Sequence, residues 1–200
     1  MNIAVFASGR GTNFSAVARA VKSGKIKANL ALLVCDQPAA AVLGRARRAG
    51  VKIALVERLG SSSKEEFENE IIRNLEENKI DLIVLAGFMR ILSPSLVRRY
   101  QNRIVNIHPS ILPSFKGAQA IKDAFEYGVK FTGITVHFVD EETDHGAIIL
   151  QSTVKIEESD TLESLEAKIH KLEHRLYPEA INLCLSGKLK VKGRQVKIST

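Results

Sequence analysis

The chain has 200 residues, 45% of them apolar and 26% charged, with two cysteines and a formal net charge of +7. That balance suits one well-buried domain over 1–200 and excludes a disordered or disulfide-stapled chain. The apolar runs are too short to span a bilayer, and the opening Met1-Asn2-Ile3-Ala4-Val5 reads as a strand, not a signal peptide, so a cytoplasmic protein is expected.

Ile3 to Ala7 is a short, continuously apolar run of the kind found in a strand covered on both faces. It enters Ser8-Gly9-Arg10-Gly11-Thr12-Asn13, after which Phe14, Val17, Ala18 and Val21 recur at helical spacing. A strand, glycine turn and helix in series gather free amide hydrogens and the positive end of a helix dipole at one point, which suits a phosphate. Two other readings stay open. The turn could simply need glycine, or Asp36 at the end of the second apolar run could be the ribose-binding acid of a dinucleotide fingerprint. Phe14 stands where that fingerprint wants its third glycine.

Leu30 to Val34 is predicted as the second strand, Ala39 to Ala49 as a helix with Arg45, Arg47 and Arg48 outward, and Val51 to Val56 as the third strand. Ser63, with Glu65 and Glu66 in the first turn, starts a helix that buries Phe67, Ile71, Ile72 and Leu75. Asp81 to Ala86 is a fourth, central strand. It runs into the apolar loop Gly87-Phe88-Met89-Arg90-Ile91-Leu92, a composition suited to an aromatic-ligand pocket, before Ser93-Pro94 begins another helix. Alternating strands and helices imply parallel pairing with right-handed crossovers.

Arg103 to Pro113 reads Arg-Ile-Val-Asn-Ile-His-Pro-Ser-Ile-Leu-Pro. The prolines force the chain out of the sheet, which sets the amide of Asn106 and the imidazole of His108 on the carboxyl rim where ligands of open α/β sheets sit. Ala118 to Tyr127 is a helix closed by Gly128, and Phe131 to Val139 a long strand. The acidic loop Asp140-Glu141-Glu142-Thr143-Asp144-His145-Gly146 precedes a strand from Ala147 to Val154. Asp160, with Glu163, reads as the cap of a helix that buries Leu162, Leu165, Ile169, Leu172 and Leu176 and is expected to kink at Pro178. His170 and Glu173 fall on the flank of that stripe, which spacing alone reads as surface. Leu189 to Ile198 reads as a terminal hairpin. Within Lys188 to Lys197 lie five basic residues and no acid, a field that would draw in a phosphorylated small molecule as readily as nucleic acid. Cys35 and Cys184 read as buried thiols.

Five segments taken together closely resemble the folate-dependent glycinamide ribonucleotide formyltransferases of purine synthesis. They are Ser8 to Asn13, Gly87 to Leu92, Asn106 to Pro113, Thr135 to Val139 and Asp144 to Gln151. The resemblance covers nearly the whole chain. It implies a single-domain, open, mostly parallel twisted sheet with helices on both faces, an antiparallel extension and a C-terminal hairpin. It implies transfer of the formyl group of 10-formyltetrahydrofolate to the amine of 5'-phosphoribosylglycinamide in de novo purine (IMP) biosynthesis, with small-molecule substrates, no nucleic acid, no membrane, no metal, and a monomer or homodimer. Asn106, His108 and Asp144 would be the catalytic trio. Gly11, Thr12, Asn13, His170 and Glu173 would hold the phosphoribosyl group, which overrides the surface reading of the last two. Lys64, Met89, Arg90, Ile91, Leu92, Asn106, Asp140 and Asp144 would contact folate; relatives carry Arg in the helix-start segment where this chain has Lys64, and lysine lacks the bidentate fork. His137 and His145 are read as a strand and a loop residue.

The residue types suit that chemistry. Formyl transfer develops an oxyanion, and a positioned amide donor such as Asn106 contributes on the order of 3 kcal/mol. A histidine can take a proton from the attacking amine and return it to the leaving nitrogen, while Asp144 orients it. The rivals are another formyl-folate enzyme, such as a hydrolase or a methionyl-tRNA formyltransferase, and a basic nucleotide-binding module without catalysis.

Overall fold

The computed structural model describes residues 1–57 and 63–199. Seven strands form the main sheet: β1 (Asn2–Phe6), β2 (Asn29–Cys35), β3 (Lys52–Leu55), β4 (Leu82–Leu85), β5 (Ile104–His108), β6 (Phe131–Phe138) and β7 (Ile148–Lys155). Their order is β3-β2-β1-β4-β5-β6-β7. The first five are parallel, while β6 runs antiparallel to β5 and β7 antiparallel to β6.

Alternate side chains of the parallel strands enter two separate cores, the arrangement their unbroken apolar runs require. Ile3, Val5, Ala7, Leu33 and Cys35 pack under α1 (Thr12–Lys22), α2 (Ala41–Ala49), α5 (Ala120–Tyr127) and α6 (Leu162–Leu185). Ala4, Phe6, Leu32 and Val34 face α3 (Lys64–Glu77) and α4 (Pro94–Arg99). Helices thus cover both faces of the sheet.

The start of α3 follows its sequence signal. Ser63 Oγ accepts from Glu66 N at 3.0 Å, and the Glu66 carboxylate accepts from Ser63 N at 2.8 Å. At α6 the cap lies one residue later than expected. Thr161, not Asp160, is the N-cap, and it forms the box with Ser164. Both adjacent residues can cap, so local spacing could not choose. The shift leaves the Asp160 carboxylate to accept from Glu157 N, Ser164 Oγ and Lys168 Nζ. Helix α6 continues past Pro178 to Leu185, and Pro178 itself is buried.

Tyr177 of α6 is the largest fully buried side chain. Its hydroxyl lies 2.6 Å from Leu85 O, at the last residue of β4, and 3.1 Å from Val105 O, within β5, and so ties α6 to both strands. The terminal hairpin, β8 (Leu189–Lys192) and β9 (Gln195–Ile198), packs Leu189, Val191 and Val196 against the first core.

Candidate active site

The chain leaves β1 toward β2 on one side and later returns to β4 on the other, so the carboxyl ends of β1 and β4 form a topological switch point. Their exit loops are joined there. Ser8 N donates to Gly87 O at 3.0 Å, and Met89 N donates to Ser8 Oγ at 3.0 Å. The glycine turn and the apolar loop are therefore walls of one place, next to the end of β5.

On the β1 wall, Gly11 is the N-cap of α1 in the left-handed conformation (φ 72°), and no side chain caps that helix. The first amides of α1 are left for an external acceptor. The turn also needs glycine sterically, because a Cβ at position 11 would lie 2.5 Å from Val42 Cγ2. Arg45, expected to point outward, instead reaches back from α2; its Nε donates to Arg10 O at 2.7 Å and holds the turn.

Asn13 meets α6 across 160 residues of sequence. Its Nδ2 donates to Glu173 Oε2 at 3.0 Å, and His170 Nδ1 donates to the same oxygen at 2.9 Å. Arg10 Nη2 sits 3.2 Å from His170 Nε2; arginine only donates, so Nε2 accepts. The bond to Glu173 raises the pKa of His170 against the opposing effect of burial. Glu173 is only 4% exposed, which corrects the surface reading from spacing. Asn13 Oδ1 is buried with no partner among the described residues, an acceptor that lacks a donor. Thr12 follows Gly11 at the first helical position, so Gly11, Thr12, Asn13, His170 and Glu173 do gather.

At the end of β5, His108 is 4% exposed. Its Nε2 lies 2.8 Å from Phe115 O, which only accepts, so in the neutral ring Nε2 carries the proton. The exchangeable site is then Nδ1, 3.4 Å from Asp144 Oδ2. Asp144 is held in turn by Gly117 N, which donates to Oδ2 at 2.9 Å. Its own backbone is left-handed (φ 50°), an uncommon conformation outside glycine. The chain then doubles back so tightly that a Cβ at Gly146 would lie 1.8 Å from Phe138 O. Asn106, half-buried, faces a residue that sequence reading passed over: its Nδ2 is 3.2 Å from His137 Nε2. Nothing in an alternating strand marks a histidine as a partner of the strand beside it.

The β4 exit loop is divided. Met89 and Ile91 are each 69% exposed, an apolar surface beside the β5 rim, whereas Leu92 belongs to the second core. Arg90 turns inward, its Nε donating to Asp36 Oδ2 at 2.7 Å and its guanidinium lying over the Phe67 ring. Asp36 is thereby the buried partner of a loop arginine, which disposes of the dinucleotide reading. Lys64 is exposed in the first turn of α3. Asp140 accepts from His145 Nδ1 at 2.7 Å and from Glu142 N, which organises the acidic loop. Among the described residues no group of three or more His, Cys, Asp or Glu is placed to hold a metal, and no helix is long and apolar enough to cross a membrane.

A switch-point α/β sheet with a histidine, a carboxamide and a carboxylate on its rim defines an enzyme of the open-sheet class. The family model for formyl transferases matches residues 1–181, and the chain belongs to that family. It is 47% identical over 182 residues to the phosphoribosylglycinamide formyltransferase of Bacillus subtilis strain 168, a match covering 91% of this chain and 93% of that protein. The crystal structure of glycinamide ribonucleotide transformylase 1 from Symbiobacterium toebii superposes with a TM-score of 0.97 at 42% identity, over 100% of this chain and 94% of that one. A formyltetrahydrofolate deformylase from Pseudomonas syringae pv. tomato superposes with a TM-score of 0.92 at 26% identity, and there the chain spans 66% of the other.

Proposed function

We propose that this protein transfers the formyl group of 10-formyltetrahydrofolate to the amine of 5'-phosphoribosylglycinamide, with Asn106, His108 and Asp144 as the groups at the reacting atoms. The observation that carries the reading is His108 Nδ1 set 3.4 Å from Asp144 Oδ2 at the end of β5, the strand beside β4, whose exit loop is bonded to the glycine turn.

The folate supplies the formyl carbon. The amine attacks that carbon, and the carbonyl electron pair moves onto oxygen, where Asn106 Nδ2 donates as charge develops. His108 takes the proton released by the nitrogen at Nδ1, beside the Asp144 carboxylate, and returns it to the departing folate nitrogen as the old C–N bond breaks. The uncapped amides of α1 with Gly11, Thr12 and Asn13 suit the substrate phosphate, while His170 and Glu173 suit the ribose hydroxyls. The exposed apolar faces of Met89 and Ile91 fit an aromatic pterin, with Asp140 as a polar contact, while Arg90 and Leu92, which turn into the protein, would support that surface from behind. Lys64 would meet the anionic tail as a point charge.

The second reading is hydrolysis of the formyl group, in which water replaces the amine; the likeness to the deformylase motivates it. The Asn13–Glu173–His170 cluster favours the first, because water needs no ribosyl site. The test follows the absorbance of the folate product with and without the ribonucleotide, for the wild type and His108→Ala. Release that needs the ribonucleotide and falls at least about 100-fold in the variant supports transfer. Release without it supports hydrolysis.

A further inference from the structure

We infer that His137 is a positioning residue for Asn106: its Nε2 lone pair anchors the carboxamide nitrogen and so fixes which end of Asn106 can donate to the reacting oxygen. The inference rests on the proposed role of Asn106 and adds a residue to it.

Backbone register makes the pair. Asn106 and His137 are directly opposed partners of antiparallel β5 and β6, so their side chains rise on the same face. His137 is 2% exposed, and its Nδ1 lies 2.8 Å from Phe138 O. A carbonyl only accepts, so Nδ1 carries the ring proton and Nε2 presents a lone pair. A lone pair needs a donor. Of the two ends of a carboxamide only the nitrogen is one, and Nδ2 sits 3.2 Å away. The second hydrogen of Nδ2 has no acceptor among the described residues and remains to donate.

A charged ring would reverse this geometry, because a hydrogen on Nε2 would call for the carboxamide oxygen. Burial holds His137 below its ordinary pKa, the His108 ring acts in the same sense, and the bond to Phe138 O with the Asp144 and Asp140 carboxylates pulls the other way. Asp144 Oδ1 is 3.9 Å from Nε2, too far to claim its hydrogen. Asn106 is therefore oriented by a neutral acceptor behind it.

The test is a pair of variants in two backgrounds. His137→Leu keeps volume but removes the acceptor; His137→Gln restores one. The inference predicts that His137→Leu lowers kcat by about 10- to 100-fold, a part of what losing an oxyanion donor costs, with KM values changed less than about threefold. His137→Gln should recover most of that loss. In an Asn106→Ala background, His137→Leu should cost less than about threefold more, since no carboxamide is left to orient. Equal losses in both backgrounds, or glutamine no better than leucine, would overturn the inference. Side-chain amide NMR of the wild type provides a readout that needs neither an active nor a leucine-substituted protein. One Asn106 Nδ2 hydrogen should be protected from exchange, and two unprotected hydrogens would contradict the anchor. If the wild type lacks transfer activity but shows that protection, the proposed reaction has failed and the positioning has not.

Discussion

Glu173 Oε2 accepts two hydrogen bonds at once, from Asn13 Nδ2 at 3.0 Å and from His170 Nδ1 at 2.9 Å, and so ties the start of α1 to the middle of α6. The titration of His170 is linked to this contact. Its folded pKa is raised, so the stability it adds is fully present below the unfolded value near ~6.5 and is lost as pH rises through the folded one. In urea denaturation, Glu173→Gln should therefore destabilise more at pH 5.5 than at pH 9. A loss equal at both values would mean that His170 does not sense the carboxylate.

Gly11→Ala should damage stability and binding together. The left-handed φ of 72° costs about 1–2 kcal/mol for an L side chain, and the new Cβ at 2.5 Å from Val42 Cγ2 adds about 1–3 kcal/mol of overpacking. Chemical denaturation should show a loss of about 2–5 kcal/mol, with KM for the ribonucleotide raised. Pairing it with Val42→Ala should recover little, because Val42 Cβ would still lie 2.6 Å from the new Cβ, whereas Val42→Gly removes that atom too and should recover part of the binding loss.

Tyr177→Phe removes the buried hydroxyl shared by Leu85 O and Val105 O. It should cost about 1–3 kcal/mol in urea. No change would show that water replaces the hydroxyl.

Arg90→Ala strips the charged partner from Asp36, whose side chain is 1% exposed, and leaves it only the Gln37 Nε2 donor at 3.2 Å. Removing one member of a buried pair costs about 3–5 kcal/mol, while Arg90→Ala with Asp36→Asn should recover much of it. Melting curves of the single and double variants distinguish a buried pair from an arginine kept only for ligand.

How much of this was legible in the sequence depended on the reach of each interaction. The strand and helix order, the helix start at Ser63 and the glycine turn are local patterns, and each is where the residues place it. Thr161 displaced Asp160 as cap because two neighbouring residues satisfied the same rule. Glu173 and Arg45 were misplaced because burial and partner come from elements far away in sequence, and an i, i+3 spacing says only that two side chains share a helix face. His137 was missed for a similar reason: only the register of β5 against β6 gives it Asn106.

The central claim is that His108 handles the proton of the transferred group, and the most direct measurement is the kcat/KM pH profile of wild type, His108→Ala and Asp144→Asn with both substrates present. The account predicts at least about a 100-fold loss in His108→Ala with a profile that no longer has the wild-type shape, and a lowered rate with an altered profile in Asp144→Asn. A His108→Ala enzyme that keeps the wild-type rate and profile would contradict it.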